Sequence, residues 1–160
     1  FVRSAILEFT GKKSFGGMEL VKKIKGVAFY DDAASERPES TLAALRSLSA
    51  GDVPGHTILI LGGAETDADY RPLLRTVSQY AKAVVLVPGS GTAALRKDIA
   101  ATENLISLSA PSIEAAVKMA RAEARPGDRV LYSPAFAAAG YDRSRAERGD
   151  RYVRAVRGLW

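Results

Sequence analysis

Short apolar runs alternate along nearly the whole chain with stretches whose apolar residues recur every three or four positions. That alternation predicts repeated βα units and a largely parallel sheet. The runs at 27–30, 57–61, 83–87, 105–108 and 129–132 read as strands. Pro38 opens a helix with Leu42, Leu45 and Leu48 on its inner side, and Pro72 opens another with Leu73, Val77 and Tyr80. A third helix follows Thr92 and carries Leu95 and Ile99. A fourth follows Pro111, with Ile113, Ala116, Val117 and Ala120 spaced as one helical face, and stops at Pro126-Gly127-Asp128. The last runs from about Ser144 towards Trp160. Residues 18–25 set Leu20, Lys22 and Ile24 against Val21 and Lys23, which predicts an extra edge strand returning through Gly26 as a hairpin. The expected architecture is a three-layer α/β domain whose mostly parallel sheet of about six strands has an antiparallel edge strand. Residues 2–9 read as the end of a helix from a preceding unit, with a linker after it.

Composition narrows the chemistry. The 160 residues suit one domain with a buried core. The absence of cysteine removes disulfides, thiolate zinc sites and cysteine nucleophiles. His56 is the single histidine and falls at the amino end of a predicted strand, so a histidine metal cluster or a Ser-His-Asp triad is not expected. No apolar run approaches the roughly 20 residues of a bilayer span. The net charge of +5 raises the question of a polyanionic partner. Its excess lies in Lys12, Lys13, Lys22, Lys23 and Lys25, and in arginines 143, 145, 148, 151, 154 and 157. A spacing of mostly three winds the arginines around a helix instead of aligning them, and Glu147 with Arg151 and Asp150 with Arg154 stand one turn apart. With no aromatic interleaving, a solvated, salt-bridged helix is the preferred reading and nucleic acid is not expected.

In an open parallel sheet, ligands sit beyond the carboxyl ends of the strands. Those ends here carry Asp31-Asp32, Gly62-Gly63, Pro88-Gly89-Ser90-Gly91, residues 107–110 and Ser133-Pro134-Ala135. Side chains alternate along a strand, so one of the two aspartates should face the crevice, and Asp32 is the expected polar contact. Gly62-Gly63 would allow close approach by a backbone or a ligand, although glycine after a strand is common in any such turn. No phosphate loop of the Gly-x-x-x-x-Gly-Lys-Ser/Thr type occurs.

These segments, taken in order, have a family likeness. Residues 26–32, Pro38-Glu39-Ser40-Thr41-Leu42, Ile58-Leu59-Ile60-Leu61-Gly62-Gly63 with Ala68-Asp69-Tyr70, Ala110-Pro111, Pro126-Gly127-Asp128 with residues 130–135, and Glu147-Arg148-Gly149-Asp150 resemble the carboxy-terminal domain of the Mur ligases. The branch they resemble most is the one that adds D-glutamate to UDP-N-acetylmuramoyl-L-alanine. The resemblance implies a Rossmann-like domain at 18–160, a linker at 12–17 and the end of a central ATPase domain at 1–11. It implies a cytoplasmic ATP-dependent peptide ligase of peptidoglycan synthesis. ATP and magnesium would be bound mainly by the central domain, so this part alone should be inactive and should hold no metal. Its partners would be the UDP-muramoyl precursor, the amino acid and the other domains of the same polypeptide, with no membrane and no nucleic acid.

By the same resemblance, Asp32 matches an aspartate at the nucleotide, and Gly62, Gly63, Thr66, Ser133 and Arg145 surround the acceptor amine. No residue of this chain is expected to be catalytic. Several family positions differ. Ser-Lys-Ala-Thr-Asn after the aspartate reads Ala33-Ala34-Ser35-Glu36-Arg37, and Gly-Gly-Asp-x-Lys reads Gly62-Gly63-Ala64-Glu65-Thr66. Ser-Pro-Ala-Cys-Ala-Ser reads Ser133-Pro134-Ala135-Phe136-Ala137-Ala138, Asn-Phe reads Ser144-Arg145, and a His-Arg before the edge strand reads Gly16-Gly17. The alternative is a diverged, non-catalytic binding or regulatory module on the same scaffold.

Overall fold

The computed structural model describes residues 18–49, 55–139, 142 and 144–160. The helix end expected at 2–9, the linker at 12–17, Lys12, Lys13 and Arg143 lie outside the described residues. Strands β1 (Glu19–Ile24), β2 (Val27–Asp31), β3 (Thr57–Leu61), β4 (Ala81–Leu86), β5 (Ile106–Ser109) and β6 (Arg129–Tyr132) form one sheet in the order β1-β2-β6-β3-β4-β5. All neighbours run parallel except β1 and β2. The β1–β2 hairpin turns on Lys25 (φ 48°) and Gly26 (φ 82°), the two positive values that match the twist of antiparallel strands.

Alternation along each strand builds two cores. Val27, Phe29, Ile58, Ile60, Val85, Val130 and Tyr132 face one way and meet helices α4 (Ile113–Glu123) and α5 (Arg145–Arg157). Tyr30, Leu59, Leu61, Val84, Leu86 and Leu131 face the other way and meet α1 (Pro38–Ser49), α2 (Arg71–Tyr80) and α3 (Ser90–Ala100). The helices cover both faces, which makes the three layers. Ser112 Oγ accepts from the Ala115 amide and Ser144 Oγ from the Glu147 amide, so a serine sets the start of α4 and of α5.

Several boundaries differ from the sequence-based expectation. Strand β4 begins at Ala81, directly after α2 ends at Tyr80, and β5 is shifted by one residue to Ile106–Ser109. Helix α3 starts at Ser90, before Thr92, because Thr92 is buried beneath Gly62 and Gly63 and not at a cap. The arginine-rich α5 also departs from a purely solvated helix. Arg148 is buried, and Arg151 donates to Glu114 of α4 at 2.7 and 3.0 Å and to Asp142 at 2.7 Å, tying two helices together.

Candidate functional site

The carboxyl ends of the central strands converge on one rim. The Asp32 amide donates to Tyr132 O, the Gly62 amide to Pro134 O, and the Ala135 amide to Ser35 O, at 2.8 to 3.0 Å. Ala64 and Ala137 exchange a pair of backbone bonds at 2.8 and 3.2 Å. The loops after β2, β3 and β6 are thereby one hydrogen-bonded unit, holding Asp32, Gly63 and Ser133 together.

The adjacent carboxylates point to opposite sides of the sheet, as strand alternation requires. Asp31 faces α5, where its Oδ1 accepts from the Ala33 amide at 2.9 Å. It borders a shallow recess of about 170 Å³ with Ala33, Ala34, Arg145, Ala146, Gly149 and Asp150. Asp32 faces α1 and is 4% exposed. Its Oδ2 accepts from Ser35 Oγ at 2.6 Å and from Ser133 Oγ at 2.7 Å. Ser133 is itself fully buried and touches Thr41 Oγ1 at 2.8 Å. Burial pushes the Asp32 carboxyl up to about 6, the two serine hydroxyls work against that rise, and the neighbouring Asp31 charge adds to it.

The close approach expected at Gly62 and Gly63 is made by the chain itself. A Cβ on Gly62 would stand 2.4 Å from Thr92 Oγ1 and 2.6 Å from Val87 O, and one on Gly63 would stand 2.3 Å from Ala137 O. The Gly63 amide donates to Thr92 Oγ1 at 3.0 Å. Both glycine amides are therefore bonded within the protein, and the pair lets loops stack in place of cradling an anion. Thr66 Oγ1 lies 2.7 Å from Tyr70 Oη, which donates to Ala135 O at 2.8 Å. The Tyr70 ring stacks on Phe136 with centroids 4.4 Å apart. Arg145 is exposed and reaches Glu36 at 3.4 Å, while Arg37 faces Asp67 at 3.8 Å across the same rim.

Thr41 and Arg148 are among the rim residues that carried no role in the sequence reading. Thr41 gave no signal beyond its place in α1. Arg148 did, because it occupies the buried stripe of α5 with Gly149, Tyr152 and Val156, where an apolar side chain is the ordinary occupant. At the opposite end of the sheet His56 meets Asp128 Oδ1 at 3.2 Å beside Lys82, a structural cluster remote from the rim. Among the described residues no group of three or more acidic, histidine or cysteine side chains is placed to hold a metal ion, and no helix is long and apolar enough to cross a membrane.

With this geometry in hand, comparison with known proteins is decisive for the family. The profile described as "Mur ligase, glutamate ligase domain" matches residues 16–136. The chain belongs to the Mur ligase family. A UDP-N-acetylmuramoylalanine–D-glutamate ligase of Roseiflexus sp. is 36% identical over 97% of this chain and 32% of its own length. One from Aromatoleum aromaticum is 38% identical over 89% of this chain and 29% of its own. The chain thus spans about a third of the length of these curated relatives. A crystal structure of the MurF ligase of Thermotoga maritima in complex with ADP superposes with a TM-score of 0.58 at 19% identity, covering 91% of this chain and 31% of that one, which is a likeness of fold.

Proposed function

We propose that this chain is the carboxy-terminal domain, residues 18–160, of a cytoplasmic ATP-dependent ligase that adds D-glutamate or another amino acid to UDP-N-acetylmuramoyl-L-alanine in peptidoglycan synthesis. Residues 12–17 are then a linker and 1–11 the end of a central ATPase domain. In that reaction the γ-phosphoryl group of ATP passes to the precursor's carboxylate, giving an acyl phosphate and ADP. The amine of the amino acid attacks the acyl carbon, phosphate departs, and the amide forms with loss of a proton. Such chemistry depends on positioning and charge neutralisation, which is what a docking rim supplies.

The observation that carries this reading is the hydrogen-bonded unit made by the loops after β2, β3 and β6, on a chain of this family. Asp32 is assigned to the nucleotide. Both serine bonds fall on its Oδ2, so Oδ1 is the oxygen suited to accept from a ribose hydroxyl. Among the described residues no cluster of carboxylates stands beside Asp32 to hold a divalent cation, and magnesium is assigned to the rest of the polypeptide. Thr66 and Arg145 lie at the exposed lip and are assigned to the amino acid, whereas Gly62, Gly63 and buried Ser133 shape the crevice from beneath.

Phosphate release by the full-length chain, with precursor and ATP present, tests the assignment. It should require an amino acid and respond to D-glutamate. Turnover with another amino acid alone would keep the ligase and change its substrate. Absence of turnover with every amino acid would leave the non-catalytic module.

A further inference from the structure

The geometry points to Arg148 as a positioning residue that couples the nucleotide-facing loop after β2 to the amino-acid-facing loops after β3 and β6. The inference rests on the ligase reading above. Arg148 is 1% exposed. Its Nε and Nη2 donate to Ala33 O at 3.3 and 3.1 Å, and Nη2 also donates to Phe136 O at 2.8 Å. A Cβ on Gly63 would lie 3.3 Å from Arg148 Nη1, so the guanidinium also borders the third loop. One rigid, planar cation therefore sets the distance between the residue following Asp32 and the segment following Ser133.

The helix that carries Arg148 is built to let it reach. Gly149, next in sequence, packs so near the post-β2 loop that a Cβ there would stand 3.2 Å from that of Ala33. From Phe136 the contact path continues outward, since its ring stacks on Tyr70 and Tyr70 Oη meets Thr66. The opposite arm ends at Asp32, whose carboxylate holds Ser35 and Ser133. Occupation of either half by its ligand bears on the carbonyl that Arg148 grips and, through the guanidinium, on the other half. Lysine is a point donor on a flexible stem and cannot hold two divergent carbonyls in the same way. Two halves that drift apart bind each ligand in a less productive pose.

The test uses the full-length chain with Arg148→Lys and Tyr70→Phe. Arg148→Lys should raise KM for ATP and for the amino acid together, each by about tenfold, with kcat less affected. Tyr70→Phe removes the hydroxyl's bonds to Thr66 and to Ala135 O but keeps the ring on Phe136 and the grip of Arg148, and should raise the amino-acid KM by about fivefold while leaving that for ATP within about twofold. It also keeps the inference falsifiable if the lysine variant does not fold. A lysine variant with both KM values within twofold of the parent overturns the coupling, and so does a phenylalanine variant that moves both KM values alike. If the unmodified chain turns over no amino acid, the ligase reading has failed and hydrogen exchange on the same protein decides. There, Arg148→Lys should speed exchange in 33–36 and 64–70 together, and unchanged exchange in either segment overturns the inference.

Discussion

Ser133 donates its hydroxyl to Asp32 Oδ2 at 2.7 Å across 101 positions of sequence. The bond joins the ends of two adjacent parallel strands, β2 and β6, at the level where the crevice begins. A buried carboxylate costs free energy unless donors meet it, and here two hydroxyls do.

Removing one of them should be felt both in stability and in titration. Ser133→Ala is expected to cost about 1.5–3 kcal/mol at pH 8, the usual range for a hydrogen bond to a charged group. It should also move the Asp32 carboxyl above its value of about 6, since the Ser133 hydroxyl lowers it. Urea unfolding and an NMR titration of the Asp32 side-chain carbon measure the two effects. Unchanged titration would show that the hydroxyl does not stabilise the ionised form.

The pH dependence has a definite sign. Asp32 rises from 3.8 to about 6 on folding, so the folded chain binds the extra proton between those values. The stability Asp32 contributes is complete below about pH 4 and is lost as pH rises through about 6, a change of about 3 kcal/mol at most. Asp32→Asn should flatten the stability profile across that window. A variant whose profile keeps the parent's slope between about pH 4 and 7 would place the titration elsewhere.

Steric fit at the rim gives a third expectation. Gly63→Ala drives a methyl group to 2.3 Å from Ala137 O, a backbone atom fixed by its own pairing with Ala64. The loops must separate, at a cost of about 1–3 kcal/mol. A melting temperature within about 1 °C of the parent would show that the rim is softer than its hydrogen bonds imply.

At the amino ends of the strands, burial disfavours the Asp128 charge, but Lys82, the Arg125 amide and His56 outweigh it and hold the carboxyl below its usual range. The stability from this cluster is present above the ordinary carboxylate pKa and is lost as pH falls through the lowered value. Asp128→Asn should therefore destabilise by about 1–3 kcal/mol at pH 7, by chemical denaturation, and by progressively less in strong acid. Equal destabilisation at both extremes would contradict the charge-based account.

The sheet, its edge hairpin and the helical faces were legible because burial on both sides leaves a period that sequence carries plainly: Ile58 and Ile60 go one way, Leu59 and Leu61 the other. The rim was legible in outline, since topology puts strand ends together whatever their side chains do. Its inner wiring was not. Nothing local distinguishes Thr92 as the acceptor under Gly63 or Tyr70 as the partner of Thr66, because those pairings depend on how loops from separate strands stack. Arg148 was masked but not hidden: its neighbours 145, 151, 154 and 157 repeat at three-residue intervals like a solvent face, and only its place in line with Tyr152 and Val156 marks it as the one turned inward.

Lys22 of β1 donates to Leu159 O at 2.9 Å and lies 3.4 Å from Arg157 O, fastening the first strand to the carbonyls that close α5. A tug on the hairpin would accordingly travel through an ammonium clasp into the helix bearing Arg148.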